Sequence, residues 1–401
     1  MIEYHEARRA VAARAKPLPA ESVALAAALG RSLARDVVAR RPVPPFAKAT
    51  MDGYALRAAD VRLAGPHRPA ELEVIGDLPA GRVRRGAVGP GQALRIMTGA
   101  PLPARADAVV MVEDTEPAGD RVRIRRAVRR GENVGAAGED LARGERVLQR
   151  GSLLGPAAVG ILASLGLASV RAVRRPRLAI IATGDEIVEP GTEPGPGRIW
   201  NSNGHALTAL ARQAGAEAFY LGIARDRAAS LRRRLQAARS ADILVLSGGV
   251  SVGDYDLVKE GLRSFGVRTV FSEVRIKPGK PAFFGVRGRQ LVFGLPGNPT
   301  SALVTFHLFV RPAIEAMLRR PGPDLRVGRA ILGSALTLKP GRLHFLRGIL
   351  AGTGPALRVE PFPDQQSGVL KSMLRSQVLI VVPAAAARVP KGRVVDILRL
   401  D

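Results

Sequence analysis

The sequence predicts a multidomain protein of α/β plus β class, and three observations lead there. From Pro176 onward, short apolar runs alternate with helix-like stretches, the rhythm of a mostly parallel sheet. From Met51 to about Asp140, strand-like runs are punctuated by Gly and Pro, as in a small β domain. Behind the linker-like Arg319-Arg-Pro-Gly-Pro-Asp324, residues 327–401 again read as short strands and turns. A chain of 401 residues exceeds one ordinary core and accommodates roughly two to four domains.

In chain order, residues 3–16 and 21–38 read as helices, separated by Pro17 and Pro19, with Ser22 as a candidate cap. Pro42, Pro44 and Pro45 then break the chain. Strands are expected at residues 72–76, 92–97, 108–112 and 121–128. Residues 141–173 read as a short β piece and a helix rich in Ala, Leu and Gly. In the α/β part, strands are expected at 178–182, 217–222, 242–246, 268–271 and 290–294. Helices are expected near 203–215, 227–240 and 258–265. Such alternation places ligands at the C-terminal ends of parallel strands.

Composition excludes several classes. The absence of cysteine rules out disulfides, iron–sulfur ligation and thiolate nucleophiles. His5, His67, His205, His307 and His344 are scattered and form no zinc spacing. No apolar run approaches a membrane span, and the N-terminus lacks a secretion pattern, so a cytoplasmic protein without a membrane partner is expected. The net charge of +26 comes mostly from arginines spread along the chain, and only 4% of residues are aromatic. That pattern favours attraction of anionic small molecules over specific nucleic-acid binding.

The segment Asp242-Ile-Leu-Val-Leu-Ser-Gly-Gly-Val-Ser-Val-Gly-Asp-Tyr-Asp256 carries the most chemistry. A buried-type strand runs into a glycine-rich turn whose N–H groups can face an anion. Asp254 and Asp256 follow as hard oxygen ligands, suiting an oxyanion held with Mg²⁺. Taken alone, the segment is also compatible with a tight turn after a strand. It is no P-loop, because Asp254-Tyr255 replace the Lys and Ser or Thr that a triphosphate needs. Gly195-Pro-Gly-Arg-Ile-Trp200 fails the dinucleotide fingerprint at Trp200.

Three further loops should meet the same sheet edge: Thr183-Gly-Asp-Glu186, Arg275-Ile-Lys-Pro-Gly-Lys-Pro281 and Gly294-Leu-Pro-Gly-Asn-Pro-Thr-Ser-Ala302. In the last, Asn298 is a candidate N-cap and Pro299 the first helical residue, leaving bare N–H groups for an anion. Carboxylates, lysines and a cap repeated at one edge predict a functional pocket. A second set contains Met51-Asp-Gly-Tyr-Ala55, Arg95-Ile-Met-Thr-Gly-Ala-Pro101 and Gly138-Glu-Asp140; alone, it is equally the chemistry of hairpins.

In order, Met51-Asp-Gly-Tyr-Ala55, Met97-Thr-Gly-Ala-Pro101, Ala106-Asp-Ala-Val-Val110, Gly138-Glu-Asp140, Thr183-Gly-Asp-Glu186, Asn201-Ser-Asn203, Ser247-Gly-Gly-Val-Ser-Val-Gly253, Lys277-Pro-Gly-Lys280 and Leu295-Pro-Gly-Asn-Pro299 span nearly the whole chain. Gln366-Ser-Gly368 and Ser372-Met373 extend the pattern. With them the sequence resembles the MoeA-type molybdopterin molybdenumtransferases. The resemblance implies an enzyme that uses Mg²⁺ to insert molybdate into adenylylated molybdopterin, releasing AMP. The pterin dithiolene then supplies the sulfur that a cysteine-free chain lacks. It implies an elongated linker and dimerisation domain at 1–44 with 141–174, a small β domain at 45–140, a molybdopterin-binding domain at 175–322 and a barrel-like domain at 323–401. A homodimer is implied, fed by a molybdopterin adenylyltransferase.

Carried over by motif, Thr183, Gly184, Asp185, Ser247, Gly248, Gly249, Val250, Ser251, Gly253, Pro296, Gly297, Asn298, Pro299 and Ser301 would hold the substrate. Asp256, Glu186 and Asp226 match acidic positions for metal binding and adenylate hydrolysis, with Asp254 a further metal ligand. Lys277 and Lys280 would offset oxyanion charge, and Asp52, Thr98 and Asp140 would reach the partner subunit's pocket. Ala49 stands where the family usually has Ser, Arg105 where it has Gly, Gln377 where it has Asn, and Glu273 where some members have Lys. The alternatives are a tungstate-preferring relative, and a scaffold that binds cofactor intermediates without turnover.

Overall fold

The computed structural model describes residues 1–249, 255–320 and 327–400, apart from the side chains of Tyr255, Asp256 and Pro355. The chain forms two compact units, one of Met1–Ala34, Gly151–Gly155 and Val170–Asp401, the other of Arg35–Arg150 and Pro156–Ser169.

The first unit is organised by a six-stranded sheet. Its strands are β1 (Arg177–Thr183), β2 (Glu217–Ala224), β3 (Ile243–Ser247), β4 (Arg268–Phe271), β5 (Phe283–Arg287) and β6 (Gln290–Leu295). The spatial order is β2-β1-β3-β6-β5-β4. The first four of these run parallel; β5 runs antiparallel to β6, and β4 antiparallel to β5. Helices α1 (Ser202–Gln213), α2 (Ala228–Ala237), α3 (Tyr255–Ser264) and α4 (Pro299–Thr305) cover it. Strand alternation explains the two-sided burial. Leu178, Ile180, Ile243 and Val245 join one core with Leu207 and Ala211 of α1. Ala179, Ile181, Leu244 and Leu246 join the other with Leu231 and Leu235 of α2 and Val258 and Leu262 of α3. Both faces are apolar because helices shield both. The α/β rhythm does not single out β5. It is the return arm of a hairpin with β6, turned by Gly288 at φ 58°.

The tail of this unit is a closed barrel. Leu343–Ala351, Arg358–Pro361, Val327–Leu332, Val394–Arg399 and Val378–Val382 are neighbours in that order, and the last pairs back to the first. Leu332, Val359, Ile380 and Ile397 fill it. The short strand Ile276–Lys277 pairs with this barrel, Lys277 lying opposite His344.

At the N-terminus the expected first helix is shortened to Tyr4–Ala12, which buries Tyr4, Ala7 and Val11. The helix expected over 21–38 does not form. Ala20–Ala24 is a strand, and Gly30, at φ 71°, interrupts the segment and donates to the Leu154 carbonyl at 2.8 Å. Leu33 pairs with Ala172. Ala- and Leu-rich propensity yields here to tertiary pairing around a glycine. Ser22 is therefore a strand residue and caps nothing.

The second unit contains the strands that the punctuation predicted between Met51 and Asp140, together with the helix Pro156–Ser164. Its sheet runs Ala108–Met111, Gly53–Leu56, Gln92–Ile96, Ala70–Leu78, Arg121–Ile124 and Thr115–Ala118. Gly53 is required, since a Cβ there would lie 1.8 Å from the Val110 carbonyl oxygen. Arg105 takes a φ of 68°, a conformation glycine adopts more readily, and the turn after Pro103 closes with a 3.2 Å bond from the Ala106 N–H. No described helix is long and apolar enough to cross a membrane.

Candidate active site

Strands β1, β3 and β6 end level, with Ala182 opposite Ser247 and Ser247 opposite Leu295. A cleft of about 400 Å³ opens there, lined by Thr183, Glu186, Ser247, Gly248, Gly249 and the 296–299 turn among others. The chain leaves β3 through Gly248 and Gly249, at φ 93° and 64°. A Cβ on Gly248 would sit 2.6 Å from the Thr183 carbonyl oxygen, and one on Gly249 2.7 Å from Val258 Cγ2. Only glycine permits this approach. The Gly248 N–H donates to the Leu295 carbonyl at 3.1 Å, and Thr183 Oγ1 to that of Ser247 at 3.3 Å. Glycine backbone thus seals three strand ends into one wall.

Two asparagines complete the cleft. Asn201 caps α1, accepting from the Gly204 N–H at 3.0 Å, and donates through Nδ2 to the Tyr220 hydroxyl at 2.6 Å. That hydroxyl donates to Glu189 at 2.6 Å, and the other Glu189 oxygen lies 3.2 Å from His205 Nε2. Burial, and then the Glu189 carboxylate, push the Tyr220 pKa far above its ordinary value, so it remains a donor. Asn203 Nδ2 donates to Ser247 Oγ at 3.0 Å and to the Gly297 carbonyl at 2.7 Å. Its Oδ1 is buried and has no hydrogen-bond partner among the described residues.

Among the expected acids, Asp185 and Asp226 clasp each other: each carboxylate accepts the other's backbone N–H at 3.2 Å. Arg225 Nη1 donates to the carbonyls of Asp185 and Ile187 at 3.0 and 2.9 Å, steadying the turn. Glu186 lines the cleft, and its carboxylate crowds Gly184, where a Cβ would come within 2.2 Å. Val250, Ser251, Gly253, Asp254 and the Asp256 side chain lie outside the described residues. Among the described residues, no three His, Asp or Glu side chains gather as a metal cluster.

The 298–301 turn departs from its expected chemistry. Asn298 occupies the N-cap position, but its side chain makes no cap bond and donates instead to Ser367 Oγ at 3.0 Å. The Thr300 N–H donates to the Ser367 carbonyl at 3.1 Å, and Thr300 Oγ1 to that of Val369 at 3.0 Å. The helix start is therefore not bare. The 366–369 segment consumes donors that local sequence alone would leave free.

Behind this turn lies a second cavity of about 700 Å³. Its lining includes Lys277, Lys280, Arg342, His344, Arg347 and Ser301, and it shares Pro281 with the cleft. Gly279, at φ 99°, lets the lysine loop lie against α4, where a Cβ would meet Thr305 Cγ2 at 2.3 Å. Lys280 pairs with Glu273 at 3.2 Å, whereas Lys277 is exposed. Arg347 is wholly buried; it donates to Ser372 Oγ at 3.0 Å and to the carbonyls of Gln366 and Asp364 at 3.0 and 3.2 Å. Its Nη1 is buried with no hydrogen-bond partner among the described residues. Burial pushes its pKa down to about 10, which still leaves a cation at neutral pH. Burial lowers the His344 pKa, with Lys277 and Arg342 adding to the effect; only the bond to the Lys339 carbonyl opposes it. A neutral His344 donates through Nε2 to that carbonyl at 3.0 Å, leaving Nδ1 as a buried acceptor. Arg342, His344 and Arg347 carry no local motif. Their only signal is long-range pairing of the barrel with Ile276–Lys277.

In the second unit, Asp52 accepts both the N–H and the Oγ1–H of Thr98, each at 2.6 Å. These bonds hold its carboxyl below the usual aspartate range. Asp140 is exposed and tied through its backbone N–H to the Val43 carbonyl at 3.0 Å; the neighbouring Glu139 pairs with Lys48 at 3.2 Å.

A mixed sheet whose parallel strands end at a glycine-walled cleft, with a cation-lined cavity beside it, is the architecture of an α/β ligand-binding domain. Three family models match: "MoeA N-terminal region (domain I and II)" over residues 2–166, "Probable molybdopterin binding domain" over 179–316 and "MoeA C-terminal region (domain IV)" over 329–400. The molybdopterin molybdenumtransferase 2 of Mycobacterium tuberculosis is 37% identical, covering 98% of each chain. The molybdopterin molybdenumtransferase of Bacillus subtilis is 35% identical over 99% of this chain and 94% of its own. A crystal structure of the molybdopterin biosynthesis MoeA protein from Pyrococcus horikosii superposes with a TM-score of 0.85 at 33% identity, covering 100% of this chain and 99% of its own. The chain belongs to the MoeA family of molybdopterin molybdenumtransferases, transferase enzymes of molybdenum cofactor biosynthesis.

Proposed function

We propose that this enzyme inserts molybdate into adenylylated molybdopterin with Mg²⁺, releasing AMP. The observation that carries this reading is the pair of adjoining cavities: a glycine-walled cleft for the larger ligand, and a cation-lined one for an oxyanion, sharing Pro281. Lys277, Lys280 and the unpartnered Nη1 of Arg347 are the donors for molybdate. Thr183, Ser247, Gly248, Gly249 and the 296–299 turn cradle the pterin side.

Glu186 is the one carboxylate among the described cleft-lining residues, and oxygen donors of this kind suit Mg²⁺. That ion binds through one or two carboxylates plus substrate phosphates. When bound, it neutralises charge on the adenylate phosphate. Asp256 is the proposed second carboxylate, Asp254 a further one, and Val250, Ser251 and Gly253 complete the phosphate cradle. Asp226 holds the Asp185 turn and thereby Glu186 in place. Asp52, Thr98 and Asp140 would serve the partner's pocket in a homodimer, with 1–44 and 141–174 as the dimerisation region. The substrate would come from an adenylyltransferase in the cytoplasm.

The test is AMP release from adenylylated molybdopterin with Mg²⁺, run with molybdate and tungstate side by side. Release that requires molybdate supports the reading; no release, while a known insertase turns over, rejects it. Asp256→Ala should abolish most turnover yet retain pterin binding.

A further inference from the structure

We propose that Trp200 is the stacking wall of the cleft, against which a planar fused nitrogen heterocycle of the substrate lies. This rests on the reading of the cleft as a site for a nucleotide-linked pterin, and deepens it. Trp200 is the only tryptophan of the chain, lines the cleft, and is 52% exposed. Ile199 beside it lines the same cleft and is 60% exposed. Together they form an apolar rim at a site whose deeper wall is backbone and amide. Aromatic rings are large apolar surfaces, and an indole left open at a ligand cleft gains most from a flat partner.

The ring is held before any ligand arrives. Its Nε1–H donates to the Thr192 carbonyl at 2.8 Å, so the polar edge is spent on the protein and the faces remain apolar. The strand Ile199–Trp200 pairs with Ile187–Val188, Val188 lying opposite Trp200. The next residue, Asn201, is locked by Gly204 and Tyr220. A ring fixed in this way loses little conformational freedom on stacking.

The same cleft offers an edge contact. Asn203 lines it, and its buried Oδ1 is an acceptor without a partner among the described residues. An apolar wall plus an acceptor fits a flat ring bearing amino or ring N–H groups, and fits a bare sugar phosphate poorly. Adenine and a pterin share that chemistry, so the experiment must tell them apart.

The single tryptophan makes the fluorescence of the full chain a report on this one residue. AMP, neopterin and ribose 5-phosphate are titrated separately, with corrections for ligand absorbance. Calorimetry gives affinities for wild type, Trp200→Phe and Trp200→Ala, and urea midpoints check that the variants are folded. Saturable quenching is expected from AMP or neopterin and none from ribose 5-phosphate. Trp200→Ala should bind the quenching ligand about tenfold more weakly, while Trp200→Phe stays within about threefold. Quenching by AMP alone puts adenine on the indole; quenching by neopterin alone puts the pterin there. If Trp200→Ala binds both as tightly as wild type, the stacking role is overturned while molybdate insertion stands. If wild type binds neither ring, the stacking role also falls, and AMP release judges the insertion reading independently.

Discussion

The cleft at the ends of β1, β3 and β6 is walled by glycine backbone and amide side chains, whereas the cavity beside it is walled by long cations. In the first, function depends on what is missing: a Cβ at Gly248 would strike the Thr183 carbonyl. In the second, it depends on what reaches in: Arg347 brings a buried guanidinium from the barrel, and Lys277 is tied to that barrel by a strand pairing. The first is shaped mainly by backbone and neutral side chains, with Glu186 as the one carboxylate among its described lining residues. The second gathers positive charge from both an exposed lysine, Lys277, and a wholly buried arginine, Arg347. One edge of one sheet therefore presents two adjoining cavities of different shape and charge.

Gly248→Ala should have the largest effect. A positive-φ position and a 2.6 Å clash together predict a loss of about 2–4 kcal/mol in urea unfolding, with loss of pterin binding. Near-native stability would show that the wall yields and would break the distinction. Arg347→Met separates charge from packing. Losing a buried cation offsets part of the cost of three lost hydrogen bonds, so stability should change by no more than about 2 kcal/mol. Wild type should gain about 2.7 kcal/mol at molybdate a hundredfold above Kd, and the variant almost none. An undiminished molybdate response in thermal unfolding would remove Arg347 from the oxyanion site.

His344 provides a pH test. Its folded pKa lies below the ordinary value near 6.5, so the unfolded chain binds the proton more readily. Its neutral form is fully compatible with folding above that value, and stability is lost as pH falls from it towards the folded pKa. His344→Gln should flatten the slope of unfolding free energy with pH in this window; an unchanged slope would assign it to other groups. The smallest effect is expected from Glu273→Gln, which releases Lys280 from its exposed ion pair. Molybdate affinity measured by calorimetry should rise about two- to fivefold. A fall would mean that the pair positions the lysine.

The two cavities also differ in how far they can be read from sequence. Ser247-Gly-Gly249, Thr183 to Glu186 and the 295–299 run are each local, and strand alternation puts them on one edge. Their glycines are legible because close backbone approach leaves no other choice. The candidate N-cap at Asn298 was misleading for the opposite reason. A distant residue, Ser367, takes its side chain and the Thr300 N–H, and no local pattern announces that. Residues 21–38 failed as a helix for the same cause, since Gly30 and Leu33 find partners near residues 154 and 172.

By itself the sequence determined the α/β and β classes, the sheet edge at which the candidate cleft opens, and the family. Periodicity, glycine placement and ordered motifs are properties of short stretches, and short stretches carry them whole. The tertiary structure alone decided that Arg347 is buried with no partner for Nη1 among the described residues, that burial lowers the His344 pKa, that Asp185 and Asp226 clasp each other, and that Tyr220 and Glu189 lock Asn201 beside an open Trp200. Burial and partnership arise from contacts between segments far apart in the chain, and those contacts set the charge, the donors and the exposed faces that a ligand meets.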